Sequence, residues 1–273
     1  MEEVVTTGGL TYAAAEPSPA LQPYVRQLSA YSERYDTPLE RRQPPFAGIV
    51  LIFGFGAPLG LDGPGGARRL ASFTGGLHET YVDTVTTGAA EGVQVDLTPA
   101  GARRLLGIPL SELANRVIPL EEALGPWAGT AVERLAGAGD RHARLALLDG
   151  LLVRRIHTAP DPDPRVGWAW SRLVATGGAA GVAALARELG WSHRHLVARF
   201  RDQIGLTPKA AARVLRFEHA LDRLRGGARP ADTAAACGYY DQAHMNRDFR
   251  TMAGASPGEL VRSWTAGRAI VPG

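Results

Sequence analysis

The sequence predicts two fold classes in one chain. The first is an α+β N-terminal domain, the strands of a small β-barrel followed by helices. The second is an all-α C-terminal domain with two helix-turn-helix units joined by a long helix. Three observations carry this division. Strand-like runs closed by glycine are confined to the first hundred residues. Pro160, Pro162 and Pro164 then interrupt the chain within five residues, which neither a helix nor a central strand tolerates. After them, a pattern of short helix, glycine turn and longer helix occurs twice, about 49 residues apart.

Residues 1–20 are small and polar, end in Glu16-Pro17-Ser18-Pro19, and read as a lead-in. Residues 21–157 read as a sensor or dimerisation domain. Its strand candidates are Gly48 to Phe55, Arg69 to Thr74, His78 to Thr86 and Gly92 to Leu97, separated by glycine-rich turns. Thr98 can cap a helix and Pro99 suits its first position, so the pattern turns helical there. Helical spacing continues through Leu110–Ala114, Pro126–Ala136 and Arg141–His157. Residues 158–164 form the proline-rich linker, and 165–273 the second domain.

Charge changes sign at that linker. Residues 165–273 hold 16 Arg and Lys against 8 Asp and Glu, a net +8; the remainder holds 14 against 19, a net −5. A basic half beside an acidic one suggests that only the second meets a polyanion. Lys209 is the only lysine, and arginine suits bidentate contact with phosphate and guanine. The single cysteine, Cys237, cannot close an internal disulfide. No apolar run approaches a membrane span, and Met1-Glu2-Glu3 is unlike a secretion signal, so a cytoplasmic protein without a membrane partner is expected.

The repeated unit carries the functional argument. In the first copy Val182, Leu185, Ala186 and Leu189 fall on one helical stripe, Gly190 stops the helix and Ser192 can cap the next. On that next helix Leu196, Phe200 and Ile204 share a face. Arg194, Ala198 and Arg201 point away from it, with Val197 on the flank. In the second copy Gly238 stops and Asp241 caps. Met245, Phe249 and Met252 turn inward, and Ala243, Arg247 and Arg250 outward, with Gln242 and Asn246 flanking. Short, polar, basic helix faces suit a major groove, where Arg can bind guanine and Gln or Asn adenine. Between the copies Thr207-Pro208 starts a long helix with Val214, Phe217, Leu221 and Leu224 on its apolar stripe, ended by Gly226-Gly227. One such unit would be a weak signal. Two in phase on one rigid connector point to double-stranded DNA.

From about Val166 to Trp264 the chain resembles the AraC/XylS family of transcription regulators. The resemblance rests on Cys237-Gly-Tyr-Tyr-Asp-Gln-Ala-His-Met-Asn-Arg-Asp-Phe-Arg, on Ala253-Gly-Ala-Ser-Pro-Gly-Glu-Leu, and on the echo Gly205-Leu-Thr-Pro208. It implies two recognition helices along one side of DNA and an activator that touches RNA polymerase. It places base reading on Arg194, Val197 and Ala198 and on Gln242, Ala243, Asn246 and Arg247. Arg201 and Arg250 then reach phosphates. Apart from the resemblance, His193 reads as a packing or phosphate partner. The sequence departs from the family where Pro230 and Thr233 replace two large aliphatics, so the first helix of the second unit should pack weakly. For the N-terminal domain the resemblance implies a cupin-like fold that binds a small-molecule effector or forms a homodimer. The strand-then-helix run Gly92 to Pro109 is similar to uncharacterised sensor domains of that family.

Other chemistry finds little support. His78-Glu79 lacks a second histidine for a metal, so neither metal nor other cofactor is expected. His193 and His195 face apart, and His219 and His244 have no ligand partner at helical spacing. Cys237 reads as a small buried apolar residue. Tyr24, Tyr31, Tyr35 and Trp127 read as core rather than pocket. No nucleophile, acid–base pair or nucleotide-binding glycine loop stands out, so no catalytic residue is assigned and no enzyme expected. A catalytic N-terminal domain tethered to a DNA-binding one is the alternative. A constitutive DNA binder whose first domain is only a dimer platform is a third. A hydrophobic cavity in the first domain would favour sensing, and a filled interior the platform.

Overall fold

The computed structural model describes residues 3–7, 9–158 and 161–265. Eleven strands precede or interleave the first helices among these residues. They are β1 Glu3–Thr7, β2 Leu10–Ala15, β3 Val25–Arg34, β4 Leu39–Gln43, β5 Ile49–Gly54, β6 Leu59–Asp62, β7 Arg68–Leu70, β8 Phe73–Gly75, β9 Val82–Thr86, β10 Ala89–Leu97 and β11 Val117–Pro119. All pairings are antiparallel, in a seven-stranded sheet ordered β1-β2-β3-β10-β5-β8-β11 and a four-stranded sheet ordered β4-β9-β6-β7. The β-rich domain followed by helices is as expected, but the strands lie in two sheets rather than one closed barrel.

The stretch anticipated as a loose lead-in supplies β1 and β2, with Tyr12 opposite Tyr31 and Ala13 opposite Ala30. The run Arg69 to Thr74 is two strands, not one. β7 belongs to the small sheet and β8 to the large one, and Ser72 makes the crossing by hydrogen-bonding its hydroxyl to the Gly54 backbone. Only Val82–Thr86 of the run from His78 is strand.

Strand alternation separates two faces of the large sheet. Leu28, Val95 and Leu51 share one face with Ala30, Val93 and Phe53, and all six are buried. Helices cover this face: α1 Pro99–Leu106, α2 Leu120–Leu124, α3 Pro126–Ala136 and α4 Arg141–His157. Thr98 caps α1 through its Oγ1 and Asp140 caps α4 through its carboxylate. Leu110–Glu112, expected as a longer helix, is a single 3-10 turn. On the opposite face Ile52 and Phe73 meet Leu61 of the small sheet, with Tyr31, Val50 and Leu59 around them.

The helical part follows as α5 Pro164–Ala175, α6 Val182–Glu188, α7 His193–Ile204, α8 Pro208–Arg225, α9 Pro230–Ala236, α10 Gln242–Ala253 and α11 Pro257–Thr265. Of the proline-rich stretch between α4 and α5, residues 159 and 160 lie outside the described ones, as does the side chain of Trp264. One continuous cluster of buried apolar side chains runs from Leu21 to Leu260, so the two parts share a core. No helix among the described residues is long and apolar enough to cross a membrane.

Candidate DNA interface

Each long helix of the repeat is set by the same local devices. After α6, Gly190 takes φ 66°, and after α9, Gly238 takes φ 71°, the left-handed conformation that glycine adopts at little cost. The chain then folds back with matching bonds, Trp191 N to Ala186 O at 2.9 Å and Tyr239 N to Ala234 O at 3.0 Å. Ser192 Oγ accepts from His195 N at 3.2 Å and caps α7; Asp241 Oδ1 accepts from His244 N at 2.6 Å and caps α10.

The inward faces are as the periodicity predicts. Leu196, Phe200 and Ile204 are buried on α7, and Met245, Phe249 and Met252 on α10. Phe200 packs 6.3 Å from Trp170 of α5, and Phe249 packs 4.8 Å from Phe217 of α8. The residues expected to read DNA lie on the opposite sides. His193, Arg194, Ala198 and Arg201 on α7 are exposed, and Val197 is half-buried. Gln242, Ala243, Arg247 and Arg250 on α10 are exposed, and Asn246 is half-buried. Among the described residues Arg194, Arg201 and Arg247 form no ion pair, so their guanidinium groups are available to a polyanion.

The connector α8 has 18 residues, about 27 Å at 1.5 Å per residue. It holds the second unit by charge as well as by packing. Arg213 Nη2 donates to Asp248 Oδ1 of α10 at 2.8 Å, and this bond holds the guanidinium more firmly in its charged form. Arg213 also stands 3.9 Å from Glu79 of the β-rich part. Three further contacts tie that part to the helices. Thr80 Oγ1 donates to the Thr251 carbonyl of α10 at 2.7 Å. Glu218 of α8 accepts from Arg26 at 3.0 Å and from Ala47 N at 3.2 Å. A side chain at Gly254, the cap of α10, would collide with the Arg42 guanidinium.

Sequence reasoning missed these contacts, and it missed a pair repeated in both units. Trp191 packs edge-on to His195 at 4.6 Å, and Tyr239 to His244 at 5.3 Å. An aromatic directly after the stop glycine and a histidine three residues after the cap, in both copies, were the available signal. The remaining candidates have structural places. Cys237 is buried and free, and burial raises its thiol pKa. Trp127 meets Phe53 edge-on, Tyr24 bonds Arg104, and Tyr35 bonds Arg41. His78 is desolvated and its pKa is lowered to about 4. Among the described residues no group of three His, Cys, Asp or Glu could hold a metal ion.

Residues 185–263 match the model of a family described as a helix-turn-helix domain, of the AraC type. These residues thus carry an AraC-type helix-turn-helix domain. Over 56 residues it is 41% identical to YbfI of Bacillus subtilis (strain 168), an uncharacterized HTH-type transcriptional regulator. That match spans 20% of this chain and 20% of the relative's length. Residues 13–119, ahead of the AraC-type domain, match a domain of unknown function, DUF6597. Over 86% of this chain and 98% of that one, the fold is similar to ToxT from Vibrio cholerae, with a TM-score of 0.51 at 8% identity. The C-terminal domain of AraT, a response regulator from Geobacillus stearothermophilus, matches 37% of this chain and 87% of its own, with 20% identity and a TM-score of 0.35.

Proposed function

We propose that this chain is a sequence-specific transcription regulator of the AraC family that binds double-stranded DNA through α7 and α10 in successive major grooves. One observation supports the reading above the rest: two exposed, arginine-bearing helix faces recur in phase on one connector. Arg194 and Arg247 sit one helical turn apart in their respective helices, Arg194 near the start of α7 and Arg247 in the middle of α10. Each would supply the dominant base contact of its half-site, and Arg201 and Arg250 would bind phosphate. Selection of binding sites from random duplexes tests this. Enrichment of two short motifs about one helical turn apart is expected; recovery of no motif would overturn it.

Within this reading the protein acts as an activator that touches RNA polymerase, and its first domain responds to a small-molecule effector. Both statements rest on the family resemblance. A platform for a homodimer is the second reading of the first domain, supported by its packing between the sheets. The space between the sheets is occupied by Ile52, Leu61 and Phe73. A void beside His78, Gly63 and Val117 measures about 10 Å³, the scale of one water. A thermal-shift screen of small metabolites on the full chain separates the roles. A specific stabilising ligand would displace the platform reading.

A further inference from the structure

The two turns that lead into α7 and α10 differ by one residue. Gly190 and Gly238, the stop glycines, lie 48 positions apart, whereas the caps Ser192 and Asp241 lie 49 apart. Trp191 and Tyr239 are equivalent, because each makes the same backbone bond and packs on the equivalent histidine. The extra residue is therefore Tyr240. It is 93% exposed, and Val174 is the only other exposed large apolar side chain among the described residues. The first unit has nothing in its place.

We propose that Tyr240 is a backbone-binding residue peculiar to the second unit. Its hydroxyl donates to a phosphate beside the base pairs met by Gln242 and Arg247, and its ring covers the neighbouring sugar. This rests on the reading that α10 enters a major groove. The turn just before such a helix, here Tyr240 and the cap Asp241, faces the strand that borders the groove, where tyrosine hydroxyls and helix N-termini commonly meet phosphate. Asp241, the one carboxylate in this turn, is turned onto the helix end by its bond to His244 N. A neutral hydroxyl donor beside it can approach phosphate without bringing a second negative charge. The ring offers an apolar face to a sugar at the cost of fixing few torsions.

Binding of the full chain to a duplex chosen by random-site selection tests the proposal, comparing wild type, Tyr240→Ala, Tyr240→Phe and Arg247→Ala. Tyr240→Ala should bind about 5- to 20-fold more weakly. The loss should be similar on an unrelated duplex, because phosphate carries no sequence. The slope of affinity against salt should be unchanged, since no cation is removed. Tyr240→Phe should lie between Tyr240→Ala and wild type. If Tyr240→Ala binds within twofold of wild type while Arg247→Ala is weakened, the role of Tyr240 is overturned and the groove assignment stands. If neither change matters, both fall.

Discussion

The first helix-turn-helix unit is closed by aliphatic burial and the second by its connector. In α6 and its C-cap the inward slots hold Val182, Leu185 and Leu189; Leu185 is almost fully buried and the other two are partly buried. In α9 and its C-cap the same slots hold Pro230, Thr233 and Cys237. Thr233 is fully buried, with its hydroxyl turned back to the Arg229 carbonyl at 2.9 Å. A leucine buries some 1–2 kcal/mol more apolar surface than these small side chains. The second unit offsets that loss through α8, by the Phe217–Phe249 contact and the Arg213–Asp248 bond. It also leans on the β-rich part through Thr80 and Thr251. One backbone motif is thus stabilised in two ways, and the second depends on partners outside itself.

The largest effect should come from the core slots. Leu185→Ala is expected to cost about 2–5 kcal/mol, and Thr233→Ala only about 1 kcal/mol from its lost bond and small void. Denaturant melts of both variants check this, and equal losses would break the contrast.

Acid should act next, and unequally. His78 is held neutral by burial, with a pKa of about 4 against an ordinary 6.5. Between those values the unfolded chain binds the extra proton. Stability therefore falls as pH drops from about 6.5 to 4, by up to about 3 kcal/mol. His78 precedes Glu79 and Thr80, which hold α8 and α10. Amide exchange should consequently rise at the end of α10 before it rises in α7, and His78→Phe should flatten the acid limb. An acid limb unchanged in that variant would refute the assignment.

The smallest expected effect is on DNA affinity. Arg194→Ala and Arg247→Ala should each cost about 1–3 kcal/mol and relax one base preference, in different half-sites. Arg201→Ala and Arg250→Ala should weaken all duplexes alike and lower the salt slope by about one. Loss of the same base preference in both arginine variants would mean that the two units do not read separate grooves.

Helices α3 and α4, the stop glycines, the caps and the exposed arginines were all legible in advance. Each is set within a few residues, by 3.6-residue periodicity, by a left-handed glycine or by a side chain bonding the first helical turn. The weak furnishing of α9 was legible for the same reason. β2 and β3 were not, because small and polar side chains such as Ala13, Ala14 and Ser29 blur their alternation. Arg69 to Thr74 looked like one strand because nothing in its composition marks the crossing at Ser72.

Local chemistry in the chain was enough to establish the two phased units and their basic faces. The tertiary structure alone decided that the strands form two sheets, that Glu79 and Thr80 reach the second unit, and that Tyr240 is left in solvent. These outcomes depend on pairings between residues far apart in sequence. Such pairings are chosen by which surfaces can be buried together, and no periodicity within a single segment records that choice.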